Sequence, residues 1–207
     1  MTLEILLAAL NRRGIPIIPL LTSPEPKFQG LACVVSGRPV IVLGHHIADP
    51  GRVAFIVSHE SGHIANGDCD EAAPVVDADD ETKDTSSIER RADLYAIRIL
   101  TGRDEVPRLD ASDFRTLAER AFRIESDHGV DAGVAIANWA RRTKNYQAAA
   151  MALHALYRGQ GARRLLSKNF ANLVDVENAS ESDRILLRCS LGGDNDDGGG
   201  EQDGIAA

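Results

Sequence analysis

Aromatic side chains are scarce in this sequence: five Phe, three Tyr and one Trp make up 4% of 207 residues. A core must therefore be assembled from Leu, Ile, Val and Ala, which favours helices accompanied by a small sheet. Cysteine is also rare. Cys33, Cys69 and Cys189 are odd in number and widely spaced, which excludes a disulfide framework and points to a reducing compartment. No two of them form a CxxC pair, so a cysteine-based zinc knuckle is excluded as well.

Basic excess is lacking too. Lys and Arg total 23 against 31 Asp and Glu, a formal charge of −8. Five of those acids lie between Asp194 and Asp203 with no base among them, leaving a body near −3 with scattered arginines. Such a body carries no basic stripe, so direct nucleic-acid binding is not expected. Nor is there a long apolar run. In "MTLEILLAALNRRG" the basic residues follow a short apolar stretch that cannot span a bilayer, and no signal-peptide cleavage pattern follows. It reads as an amphipathic first helix of a cytoplasmic protein that makes no membrane contact.

What remains is ordinary for a globular chain: 43% apolar and 26% charged residues, enough length for one well-buried core. "GIPIIPLLTSPEP" is proline-punctuated and extended. "LACVV" and "PVIVLG", separated by "SGR", give a hairpin signal. Residues 52–66 read as a helix despite the β-branched "VAFIV": Asp49-Pro50 offers an N-cap and first-turn proline, and Asn66-Gly67 a stop. Residues 68–85 are acidic and read as a surface loop. A helix follows over 87–100, ending at Gly102, then helices over 111–126, 130–143, 145–158 and 161–176. The Gly- and Asp-rich end reads as a disordered acidic tail.

The chemistry lies in "AFIVSHESGHIAN", residues 54–66. On a helix, positions i and i+4 lie about 40° apart, so His59 and His63 share a face and can reach one ion. Glu60 sits about 100° round from His59, where a carboxylate can take a proton from water without ligating the metal. Zinc needs a third protein ligand. Glu89 in "SSIERRADLYAIRIL" is the candidate; Asp93, four residues on, shares its face and can accept a proton from a ligand imidazole. Ala92 is small where two helices must approach closely. Two other readings stand beside this one. Ser86-Ser87-Ile88-Glu89 also fits a capping box, and Asp68, Asp70 and Glu81 are rival ligands.

With these motifs in view, the pair "HESGH" and "ERRAD", continuing "LYA", resembles the ImmA/IrrE family of zinc metallopeptidases. The stretch "GLACVVSGRPVIVLGHHIADPGRVAFIVSHESGH" is similar to the hairpin and approach that lead into the zinc helix of that family, and the resemblance spans residues 14–100. It implies that His59, His63 and Glu89 bind Zn2+, that Glu60 is the general base, and that Asp93 supports the ligands. It further implies hydrolysis of a peptide bond in a protein substrate, often a helix-turn-helix repressor governing a stress or mobile-element programme. The sequence departs from the family at "IRILTGRDEVP", where an apolar end is common, and at Arg91, where an acid is common.

The expected fold is α+β: a small hairpin or sheet packed on a zincin-like (gluzincin-like) HExxH helix, followed by a mostly helical C-terminal region. Residues 1–105 form the metallopeptidase-like core, 106–190 the helices that complete the domain, and 191–207 the tail. A zinc-stabilised module that binds a regulator without cutting it is the alternative. His45 and His46 read as loop residues, Cys69 as a loop cysteine and Trp139 as a core anchor. Tyr95, about 240° round the helix from Glu89, reads as core packing, and among His128, His154, Tyr146 and Tyr157 the sequence gives no basis for choosing an oxyanion-stabilising group.

Overall fold

The computed structural model describes residues 1–20, 28–44, 49–78, 87–157, 161–175 and 178–191. The expected tail from 192 onward, His45, His46, Glu81 and Ser86 lie outside them. Within them the chain is α+β, a four-stranded mixed sheet with eight helices.

Helix α1 (Leu3–Arg12) turns Leu3, Leu6, Leu7 and Leu10 inward, the amphipathic stripe legible in its sequence. Strand β1 (Ile17–Pro19) follows, and then the hairpin of β2 (Phe28–Val35) and β3 (Arg38–Leu43). Ser36 and Gly37 form its turn with φ of 50° and 74°. Two left-handed residues are what a two-residue hairpin requires to match strand twist. Strand β4 (Val75–Ala78) completes the order β1-β3-β2-β4. β1 runs parallel to β3, while β2 runs antiparallel to both its neighbours.

β4 corrects the loop reading of residues 68–85. Val75 and Val76 lie opposite Ala32 and Leu31 of β2, so two β-branched residues suffice for an edge strand when a formed strand is there to pair with. The acidic composition around them fits an exposed edge.

Helix α2 (Pro50–Asn66) is the centre of the molecule. It contacts α1, β2, β3, α3 (Ser87–Thr101) and α5 (Ala132–Thr143). Surrounded on all sides, it buries nearly every residue from Val53 to His63. That explains why "VAFIV" is helical: tertiary burial outweighs the weak helix preference of β-branched residues. Pro50 occupies the first turn and Gly67 closes the helix at φ 71°, both as expected. Asp49 is at the N-cap position, yet its side chain accepts no bond from the first turn. It is half-buried, and burial raises its carboxyl pKa against the opposing pull of Arg52 and His154.

Helices α4 (Phe114–His128), α5 and α6 (Tyr146–Tyr157) pack on one another, and α5 presses this layer against α2. Asp113 caps α4 by accepting from the amides of Arg115 and Thr116, and Asp131 caps α5 by accepting from Val134. Trp139 is buried in the core, as its position in the apolar helix suggested. α7 (Ala162–Ala171) ends five residues before the sequence reading placed its end, and α8 (Glu181–Leu191) adds a helix beyond it. One hydrophobic cluster runs from α1 through the sheet and α2 to α7, so the later helices share the core of the earlier elements. Among the described residues no helix is long and apolar enough to cross a membrane.

The α2–α5 crossing depends on two glycines. A Cβ built on Gly51 would lie 2.6 Å from Gly133 Cα, backbone that cannot yield as a side chain would. Gly51→Ala should therefore destabilise the fold by about 1–3 kcal/mol, as overpacking does. Thermal unfolding checks this, and an unchanged Tm would contradict the tight crossing.

Candidate metal centre

A helix sunk in a core should be apolar, and α2 is not. Five polar or charged residues of its middle are buried: Ser58, His59, Glu60, Ser61 and His63. Burying such groups is costly unless each finds a partner. Ser61 Oγ donates back to the Val57 carbonyl. The two histidines are answered from outside the helix.

His59 Nδ1 faces Asp93 Oδ1 on α3 at 2.9 Å, and His63 Nδ1 faces Asp68 Oδ2 at 3.2 Å. A carboxylate accepts, so each imidazole donates its Nδ1–H, and in the neutral ring Nε2 then carries the lone pair. Those two Nε2 atoms point at each other across 3.0 Å. Glu89 Oε2 joins them, 3.2 Å from His59 Nε2 and 3.7 Å from His63 Nε2. Three electron-pair donors thus converge where both histidines are at most 3% exposed. With both rings neutral such an arrangement is repulsive, and a proton or a metal ion between the donors relieves it.

The group can hold a metal ion: one ligand atom from each of His59, His63 and Glu89 lies within 4.8 Å of the others. Metal–nitrogen and metal–oxygen bonds of about 2.0–2.2 Å in a tetrahedron place neighbouring donors about 3.3 Å apart. The observed separations of 3.0, 3.2 and 3.7 Å straddle that value. Glu89, at 28% exposure, is the open side of the group. As for the capping-box reading of Glu89, Ser86 lies outside the described residues, while the Glu89 carboxylate reaches both histidines.

α3 can deliver Glu89 because it lies very close to α2. A Cβ on Gly62 would be 2.9 Å from Ala92 Cα and 3.2 Å from Tyr95 Cβ. Ala92 is completely buried, in keeping with the small residue the sequence offers at that point. Gly62, inside the HESGH motif itself, is the other half of this contact.

The carboxylates behind the histidines are themselves anchored. Asp93 pairs with Arg141 of α5, whose guanidinium also lies 5.3 Å over the Phe55 ring, and Phe55 stacks on His59 with centroids 6.4 Å apart. Asp68 Oδ1 accepts from Arg91 of α3 at 2.7 Å. From the sequence, Asp68 is only a rival ligand and Arg91 a residue that alters the field near the ligands, while Arg141 and Phe55 have no expected place at the site. The signal for Asp68 was its place just beyond the Gly67 stop, where the chain doubles back along the helix end: its amide donates to the His63 carbonyl at 2.9 Å.

Glu60 is fully buried beside His59 and faces β2. A Cβ on Gly30 would fall on the Glu60 carboxylate, so the glycine leaves the space this side chain occupies. Among the described residues the metal-ligating group is His59, His63 and Glu89 alone, and other candidates are engaged elsewhere. Asp70 accepts from the amides of Ala72 and Ala73 in a turn, Tyr157 OH donates to Asp131 at 3.4 Å, and Tyr95 packs on Gly62. Burial pushes the Cys69 thiol up, with Cys33, Asp68 and Glu60 adding to the rise, so Cys69 is no thiolate at neutral pH.

Purified protein should take up one equivalent of a divalent transition metal. Glu89→Ala should weaken uptake and His59→Ala abolish it. Calorimetric titration at two pH values checks this; equal uptake by His59→Ala and the unsubstituted protein would contradict the ligand set.

Neither a protein-family model nor a curated protein matches this chain.

Proposed function

We propose that the chain is a zinc-dependent metallopeptidase that hydrolyses a peptide bond in a protein substrate. The observation that carries the reading is the convergence of His59, His63 and Glu89 beside a buried glutamate on the same helix. A donor set of two imidazoles and one carboxylate, with a fourth position for water or substrate, is that of a catalytic zinc site. Zinc held there supplies Lewis acidity, lowering the pKa of a water to about 7 and polarising a carbonyl. Asp93 fixes the tautomer of His59. Glu60 takes a proton from the attacking water and returns it to the leaving amine.

The similarity of "HESGH" and "ERRAD" to the ImmA/IrrE motifs supports the same reading and makes a helix-turn-helix repressor in the cytoplasm the proposed substrate. The acidic balance of the chain agrees with contact to that protein rather than to DNA. β4 is an edge strand, and its Asp77 pairs with Gly30, the residue against which Glu60 packs. An extended segment added along β4 would run close to the general base. A zinc-stabilised module that captures a regulator without cutting it is the second reading. The complete burial of Glu60 is the observation on its side.

Two substitutions separate these readings, each assayed on a proteome-derived peptide library by mass spectrometry with zinc content measured in parallel. Glu60→Gln should keep zinc and lose cleavage by about 10²–10⁴-fold, the usual worth of general acid–base catalysis. Full cleavage by that variant would remove Glu60 as the base, and zinc binding without any cleavage by the unsubstituted protein would favour the binding module. Gly30→Ala should also keep zinc while lowering kcat, because the added methyl displaces the Glu60 carboxylate. An unchanged kcat would contradict that placement.

A further inference from the structure

Both histidines of the metal group are backed by an Asp–Arg pair, but the two pairs are built differently. The support for His59 comes wholly from other helices: Asp93 from α3 and Arg141 from α5. The support for His63 begins on the strand of chain leaving α2 itself. Gly67 turns the backbone at φ 71°, and the next residue, Asp68, folds back with its side chain only 5% exposed and its Oδ2 at His63 Nδ1. Its other oxygen is bound by Arg91, two residues along α3 from Glu89. Arg91 is itself 57% exposed.

We infer that Asp68 and Arg91 are positioning residues that hold the His63 imidazole and the Glu89 end of α3 in ligand-ready register. The inference rests on the zinc reading above. A charge-assisted bond from the helix carrying Glu89 to the residue orienting His63 ties two of the three ligands together without touching the metal. Asp68 sets the ring rotation and the Nδ1–H tautomer of His63, so that the Nε2 lone pair points at the Nε2 of His59. Arg91 stops Asp68 from rotating away and fixes the first turns of α3 against the end of α2. An acid at position 91 would instead face the Asp68 carboxylate and be repelled by it.

The test is zinc affinity, read by competition with a chromophoric chelator, together with the visible absorption of the Co2+-loaded protein and the Tm of the metal-free protein. Asp68→Ala should weaken zinc binding by about 10–100-fold, the usual effect of removing an outer-shell partner, and should alter the Co2+ bands, with the metal-free Tm little changed. Asp68→Asn keeps an acceptor for the His63 Nδ1–H and should recover most of the affinity. Arg91→Gln should weaken zinc binding at low salt, with the difference fading at high salt because the guanidinium is exposed.

Zinc affinities of Asp68→Ala and Arg91→Gln within twofold of the unsubstituted protein, alongside loss in His63→Ala, would overturn the inference and leave the metal site standing. If Asp68→Ala fails to fold, Asp68→Asn and Arg91→Gln decide, and a loss of affinity matched by loss of the metal-free fold would make the role merely structural and overturn it. Failure of the zinc reading would look different: the unsubstituted protein and His63→Ala would bind zinc equally.

Discussion

How closely α3 can approach α2 decides whether a site exists at all. Glu89 reaches the two histidines only because Gly62 has no side chain and Ala92 has a minimal one, so the helix backbones meet nearly in contact. A single methyl at position 62 would fall 2.9 Å from Ala92 Cα and separate the helices. The same economy recurs where α2 meets α5 through Gly51 and Gly133, and where it meets β2 beside Gly30. α2 is thus hemmed in on three sides by positions that lack side chains, which is how a helix with so polar a centre can lie inside an apolar core.

The polarity of that centre is resolved by layering. The histidines donate outward to Asp93 and Asp68, those carboxylates accept from Arg141 and Arg91, and the lone pairs left inside converge with Glu89. Each outer layer compensates the one within it, and only the innermost is left needing a positive charge. Charge therefore alternates from the solvent-facing arginines inward, and the innermost group can hold a metal ion. This is also why the exposed arginines matter to a buried group: without them Asp68 and Asp93 would be free to rotate towards water.

Much of this was legible in the sequence, because helical spacing is local geometry. The separation of His59 from His63, the shared face of Glu89 and Asp93, and the smallness of Ala92 needed only the pitch of a helix to interpret. The hairpin was legible from Ser36-Gly37 between two β-prone runs. Contacts made across the fold were not. Asp68 looked like one acid among many in "DCDEAAPVVDADDE", since nothing local reveals that Gly67 swings it back to His63. β4 was hidden because an edge strand borrows its order from β2. Gly30, Gly51 and Gly62 carried no signal, as a glycine chosen for space looks the same as one chosen for a turn. Asp49 shows the opposite error, a residue of the right type in the right place whose side chain does not cap.

Two Nε2 atoms and one glutamate oxygen at the heart of α2 can hold a cation between them. X-ray absorption at the zinc edge of the metal-loaded protein tests it most directly. The expected spectrum has a four-coordinate shell of nitrogen and oxygen at about 2.0–2.2 Å, with the multiple-scattering pattern of two imidazoles. A sulfur shell at about 2.3 Å, which would implicate Cys33 or Cys69, or an all-oxygen shell without imidazole scattering, would contradict it.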